Sequence, residues 1–328
     1  MLQYRENEEM STVAVCDDIL HFHVGLPKTG TSLLQSRFFP EHNQIEYLGK
    51  VLPGNGFPDS RVESLVHDML RQGVYKCDVE LNRRRFNEVV RPLMGKGRAV
   101  LMSFEDGTHG SPKRRAAKLA NLKAVCGDCR LLITLRRPLD FIESLYLQRV
   151  KKHNTLRDHW LKNLKTLNIE QWLDKCWKTG EKAELSHLNY GDFINDWEMT
   201  FGAENVCILL YEQLKETPGF FLDQICSYLG IELVHDKGVV EGELVNPRIS
   251  SAQVEAILAA ESSLIRTLLY RLAGRKPREL KVNTSEGQGA RASVPQQWAD
   301  RICQLTKPSH QDLVQRLGLP LSEYGYPV

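Results

Sequence analysis

The sequence predicts a doubly wound α/β fold, a mainly parallel sheet flanked by helices with a helical C-terminal cap, and three observations lead there. Four short apolar runs, at 19–24, 99–104, 131–135 and 206–211, are each followed by a turn and a helical pattern. The first run breaks into a turn rich in Gly, Lys and hydroxyl side chains before a helix resumes. Beyond about residue 236 the strand pattern fades and helical patterns take over.

Residues 1–18 are mixed and acidic with no apolar targeting core, so they read as a polar segment ahead of a core spanning 19–235. In the first strand His21 and His23 alternate with Phe22 and Val24, a pattern that makes them structural histidines. Pro40 is expected to end the helix that follows. After the strand at 99–104, Ser111-Pro112 opens a helix over 114–125, and after 131–135 Pro138 opens another over 139–150. A helical segment within 151–200 carries Trp160, Trp172, Trp177 and Trp197, large rings that suit packing between helices. The strand at 206–211 precedes a helix at 219–229, opened by Thr217-Pro218 and closed by Gly230. The cap, 236–328, holds a long helix at 250–272, a loop or lid at 276–293, and a helix at 295–317 expected to break near Pro308. Core and cap together read as one domain, with no internal repeat.

Composition excludes several classes. With 43 basic and 41 acidic residues the net charge is +2, too small a field to argue for nucleic acid, so any anion binding must be local. No run approaches the ~20 apolar residues of a membrane span, which gives the expectation of a soluble protein. Eight cysteines scattered through a chain without a secretory signal favour reduced thiols and a cytoplasmic location. Cys126-Gly127-Asp128-Cys129 has no second pair to complete a zinc site and reads as structural; no metal-ligand cluster is expected. The basic runs Arg83-Arg84-Arg85, Lys113-Arg114-Arg115 and Lys151-Lys152 read as solvated helix faces.

The chemistry starts at His21-Phe22-His23-Val24-Gly25-Leu26-Pro27-Lys28-Thr29-Gly30-Thr31-Ser32. A strand that turns through such residues into a helix aims backbone N–H groups, the positive end of a helix dipole and hydroxyls at one anion. A Walker A loop places its Lys directly after the second Gly. Here Gly25 and Gly30 are five apart, Lys28 precedes the second Gly and Thr31 stands where the Walker Lys would be.

Pro-Lys-Thr-Gly-Thr-Ser after a strand is instead similar to the 5′-phosphosulfate loop of sulfotransferases that use 3′-phosphoadenosine 5′-phosphosulfate (PAPS). A second motif supports this resemblance: Arg136-Arg137-Pro138 followed by Ser144 resembles the family's R-x-P-x-x-x-x-x-S. A third is Ser103-Phe104-Glu105 at a strand end, similar to the Phe-Glu of heparan-type members. A fourth, from Trp197 through Phe201-Gly202 to Tyr211-Glu212-Gln213-Leu214 and Leu229-Gly230, resembles the tail of the family's core. The pattern is closest to bacterial and heparan-type members. One departure is Gln148, where some heparan-type relatives carry His.

The resemblance implies that Pro27, Lys28, Thr29, Gly30, Thr31 and Ser32 hold the 5′-phosphosulfate, that Arg136 and Ser144 hold the 3′-phosphate, and that Arg248 contacts the donor. Lys28 would stabilise the leaving phosphate oxygen and Glu105 would take the proton from the acceptor. It implies no metal. Arg137, in the motif's variable position, reads equally as a surface residue or a ligand, and Glu212 as an N-terminal helix or loop contact, with direct substrate contact the alternative. The expected acceptor is a small molecule or a glycan, sulfated on a hydroxyl or amine. A P-loop-like kinase and a non-catalytic nucleotide-binding module are the competing readings.

Overall fold

The computed structural model describes residues 19–26, 28–50, 58–71, 74–104, 110–156, 167–179, 184–233 and 293–328. They fall into two compact units, one within Met1–Leu135 and Asp192–Gly242, the other within Arg136–Gly191 and Glu243–Val328.

The first unit is built on five strands: β1 (Leu20–Gly25), β2 (Ile45–Lys50), β3 (Ala99–Ser103), β4 (Cys129–Leu135) and β5 (Val206–Leu210). They form one sheet in the order β2-β3-β1-β4-β5. All pairs are parallel, with β1 at the centre: Leu20 lies opposite Val100 on one side and Cys129 on the other. The four apolar runs read from sequence are four of these strands; β2 is the fifth. Its burial alternates irregularly, its register shifts between Tyr47 and Gly49, and as an edge strand it needs no continuous apolar run.

Helices cover both faces, as a doubly wound sheet requires. On one lies a helical segment after β1, labelled α1, made of Thr31–Leu33, a π turn at Leu34–Phe38 and Phe39–Glu41. Pro40 sits in its last turn, where the sequence puts the end of the helix. Along the chain follow α2 (Ser60–Leu70), α3 (Val79–Val89), α4 (Pro112–Cys126), α5 (Pro138–Leu156), α6 (Ile169–Thr179), α7 (Tyr190–Phe201), α8 (Tyr211–Glu216), α9 (Pro218–Leu229) and α10 (Gln296–Leu317), of which α5, α6 and α10 belong to the second unit. Leu34, Phe38 and Phe39 of α1 pack with Phe221 and Ile225 of α9 onto Leu101, Leu132 and Leu209 of the sheet. Phe22 and Val24 face the other way, toward Leu70, Leu119, Leu122 and Trp197.

The period of two therefore sends His21 and His23 toward the α1 and α9 face. Both are buried. His23 Nδ1 lies 3.1 Å from Ser103 Oγ, which also accepts the Tyr47 hydroxyl at 3.1 Å, and its ring meets Phe39 edge-on at 5.0 Å. His21 Nδ1 lies 3.3 Å from the Val100 carbonyl, and its ring meets Tyr228. Among the described residues neither Nε2 has a partner, so these structural histidines are only half satisfied.

The expected basic faces are partly internal. Arg115 is buried and donates to Asp196 at 2.9 Å, Arg85 to Asp68 at 2.8 Å, Arg83 to the Ala124 carbonyl at 2.8 Å and Arg114 to the Arg71 carbonyl at 2.6 Å. These guanidiniums tie α2, α3, α4 and α7 together rather than simply facing solvent; the side chains of Lys151 and Lys152 lie outside the described residues. Cys126 ends α4 and Cys129 begins β4, both buried and unbridged, with burial pushing the Cys129 thiol well up.

In the second unit Trp172 is buried against Tyr146, and Trp177, half exposed, packs on Trp298 with Arg301 over both rings. Trp197, in the first unit, is buried, and Trp160 lies outside the described residues. The helix at 295–317 does not break: α10 continues through Pro308. Proline there removes one N–H, whose lost partner is the carbonyl of the exposed Gln304, while buried Trp298, Ile302, Thr306, His310 and Leu313 hold the helix in line. The helix expected at 250–272 and the loop or lid at 276–293 lie outside the described residues, save for Ser293 itself.

Burial lowers His23 from 6.5 to about 3, and burial with the nearby Arg130 charge lowers His21 to about 4 against the opposing Val100 hydrogen bond. Folded values below the unfolded one mean that the unfolded chain takes up these protons first. Their contribution is whole above pH 6.5 and is lost as pH falls toward those values. Between pH 7 and 5 each should cost about 2 kcal/mol. Urea midpoints at the two pH values are expected to drop accordingly, and His21→Gln should remove close to half of the drop.

Candidate active site

The chain runs from β1 to one side of the sheet and, after β3, to the other, so the switch point lies between β1 and β4. Ligands of open parallel sheets bind outside the carboxyl ends of strands at such a point. The turn leaving β1 occupies that end. Lys28, half-buried, has φ 69, the one non-glycine with positive φ among the described residues, and Gly30 follows with φ 81. Successive residues near these angles curl the backbone so that N–H groups converge into an anion-binding concavity.

Two contacts hold the curl. The buried Thr29 hydroxyl donates to the Leu26 carbonyl at 2.7 Å, and the Leu33 N–H returns to the Gly30 carbonyl at 3.0 Å. Gly30 is required twice over, by its φ and by crowding: a Cβ there would stand 2.5 Å from Leu214 Cδ2 and 3.3 Å from the Tyr211 ring of α8. Gly30 is also the N-cap of α1, with no side-chain cap, so the positive end of the helix begins at the turn itself. Thr31 is buried and Ser32 half-buried at that start; the Ser36 hydroxyl bonds the Ser32 carbonyl at 2.5 Å. The π turn beginning at Leu34 widens the helix just beyond it.

β3 ends beside β1. The Phe104 N–H donates to the His23 carbonyl at 2.9 Å, and the Lys118 ammonium lies 5.3 Å from the Phe104 ring centre. Glu105 itself, like Pro27 and Arg248, lies outside the described residues. Glu212 is buried on α8, directly after Tyr211.

In the second unit Arg136 is the residue that follows β4, and it is 2% exposed. Its carbonyl accepts the Tyr190 hydroxyl at 2.7 Å. Ser144, 5% exposed, sits about two turns into α5. Arg137 is the more exposed of the arginine pair and is engaged with Asp140, Nη2 to Oδ2 at 2.6 Å. Among the described residues no cluster of His, Cys, Asp or Glu is placed to hold a metal ion, and no helix is long and apolar enough to cross a membrane.

Residues 21–246 match the family model of the sulfotransferase domain. The chain belongs to the sulfotransferase family. No curated protein matches it. Among solved structures it is similar to a sulfotransferase from Alicyclobacillus acidocaldarius, 20% identical, with 78% of this chain and 96% of that one covered and a TM-score of 0.46. A mouse sulfotransferase complexed with PAP is 14% identical, with 94% and 89% covered and a TM-score of 0.41. Retinol dehydratase in a complex with retinol and PAP is 14% identical, with 92% and 82% covered and a TM-score of 0.36.

Sequence reasoning passes over three groups that this sulfotransferase builds around the motifs. Leu214 and Tyr211 wall the Gly30 turn, His23, Ser103 and Tyr47 brace the end of β3, and Tyr190 holds Arg136. Apart from Tyr47, which lies on β2, the first two lie within stretches the motifs flag; Tyr190 falls in no motif, and its bond spans 54 residues.

Gly30→Ala should cost at least about 1–2 kcal/mol from the left-handed backbone alone, with Leu214 forced aside as well. A lower thermal midpoint together with lost nucleotide binding is the expected result; binding kept at the wild-type level would show the turn to be dispensable.

Proposed function

We propose that this sulfotransferase moves a sulfuryl group from PAPS to a hydroxyl or amine of a small-molecule or glycan acceptor. The observation that carries this reading is the Lys28–Gly30 turn, bent at positive φ at the end of the central strand and opening into α1. Such a turn suits a tetrahedral dianion held by backbone N–H groups, with Lys28 as the cation beside it.

When bound, the donor supplies an activated sulfonate whose bond to the 5′-phosphate oxygen breaks as the acceptor attacks. Positioning and charge stabilisation do most of such work. Lys28 would neutralise charge on the departing phosphate oxygen, and the N–H groups and hydroxyls of Gly30, Thr31 and Ser32 would hold that phosphate. Arg136 and Ser144 would take the 3′-phosphate, where a guanidinium offers forked donors. Pro27 and Thr29 would shape the loop, and Arg248 would contact the donor. Glu105, following the braced end of β3, would accept the acceptor's proton. The basic residues Lys151, Lys152 and Arg157 suit an acidic glycan, and cysteine usage suits the cytoplasm as the place of work.

Adenosine 3′,5′-bisphosphate is expected to raise the melting temperature more than ATP with magnesium does; the reverse order would favour a kinase. In an assay with labelled donor, Lys28→Ala should lower turnover by at least about a hundredfold. Wild-type turnover of zero with every acceptor class, beside tight bisphosphate binding, would point to a binding module instead.

For Arg136→Ala the expected outcome is weaker bisphosphate binding with an unchanged circular dichroism spectrum. Unchanged affinity in calorimetry would remove the 3′-phosphate role.

A further inference from the structure

We propose that Tyr190 is a positioning residue for recognition of the donor's 3′-phosphate, acting through the backbone of Arg136; the inference rests on the role given to Arg136 above. Arg136 stands at the elbow where β4 has ended and Pro138 is about to start α5. The direction of its guanidinium therefore depends on the peptide plane of a residue outside both regular elements. The Tyr190 hydroxyl donates to the carbonyl of that plane at 2.7 Å, from a side chain 2% exposed.

Tyr190 is itself held. Its ring stacks on His310, centroids 5.7 Å apart and planes 26° from parallel. His310 is fully buried, has Nδ1 2.9 Å from the Pro327 carbonyl, and meets the Tyr326 ring edge-on at 5.4 Å. The next residue, Gly191, donates its N–H to Ser309 Oγ at 2.8 Å, and a Cβ at 191 would lie 2.6 Å from that oxygen. The start of α7 is thus pressed against α10 with no slack. On the other side of the elbow Arg137 is tied to Asp140, one turn into α5. A phenylalanine would satisfy the stacking alone. A buried phenol needs a partner, and here the partner is the carbonyl of the residue assigned to the 3′-phosphate.

The test compares two ligands by calorimetry: adenosine 3′,5′-bisphosphate and adenosine 5′-monophosphate, which lacks only the 3′-phosphate. Wild type should prefer the bisphosphate strongly. Tyr190→Phe should cut that preference about tenfold, the equivalent of one hydrogen bond, while leaving 5′-monophosphate affinity unchanged. An unaltered preference overturns the proposal, and so does an equal loss for both ligands, which is what general loosening would give. Should Tyr190→Phe fail to fold, His310→Gln keeps a donor for the Pro327 carbonyl but removes the stacked ring, and a smaller cut in the same preference is expected; none overturns the proposal. A wild-type protein without preference for the bisphosphate would instead overturn the role of Arg136 and remove the ground for the inference.

Discussion

The constraint on which the first unit depends is a backbone one: within five residues of leaving the central strand, the chain must pass through left-handed angles at Lys28 and again at Gly30. For a side chain as long as lysine this costs roughly 1–2 kcal/mol, and such strain persists only where its surroundings over-determine it. The surroundings are visible. Thr29 anchors the turn to Leu26, α8 closes on Gly30 so tightly that no Cβ fits, and Leu34, Phe38 and Phe39 fix α1 against the sheet. Relaxing the turn would disturb that packing, so the core of this unit and the shape of the turn are one problem with one solution.

The same economy explains the polar groups inside the sheet. A parallel strand covered on both faces would ordinarily be apolar throughout, yet β1 carries His21 and His23. Burial keeps both neutral at physiological pH, and each uses its Nδ1 on the neighbouring strand β3, one through a carbonyl and one through Ser103. Ser103 is shared with Tyr47 of β2, so a single hydroxyl ties three adjacent strands at the carboxyl edge of the sheet. Half-satisfied imidazoles lower stability, and what they support is the alignment of the strand end that leads to Phe104.

Much of this was legible in the sequence, because the features that made it so are local. Continuous apolar runs between turn residues mark buried parallel strands, and spacing within the Gly, Lys and hydroxyl turn separates it from a Walker loop. What escaped is set by tertiary context. β2 is an edge strand whose register slips at Gly49, so its pattern resembles no strand template. Pro308 breaks helices in general, but here its missing donor falls on an exposed turn while buried residues on either side keep the axis straight. Arg115 looks like part of a solvated run, and only the arrival of α7 with Asp196 buries it. Contacts made across 80 or 54 residues, such as His23 with Ser103 and Tyr190 with Arg136, have no signature in either partner's neighbours.

The two residues proposed to bind the donor's phosphates are oriented by different means, and the difference follows from where each sits. Lys28 lies inside a turn whose own angles aim it, so its neighbours in sequence can do the work. Arg136 lies between a strand and a helix, where backbone angles are least constrained by regular hydrogen bonding, and the constraint has to come from elsewhere in the chain. A tyrosine supplies it at low entropic cost, since two side-chain angles fix one hydroxyl and the ring is locked by stacking. In both cases order is imposed on the main chain before any ligand arrives. Less conformational freedom is then left to lose on binding, which would leave more of the energy of the proposed phosphate contacts to appear as affinity.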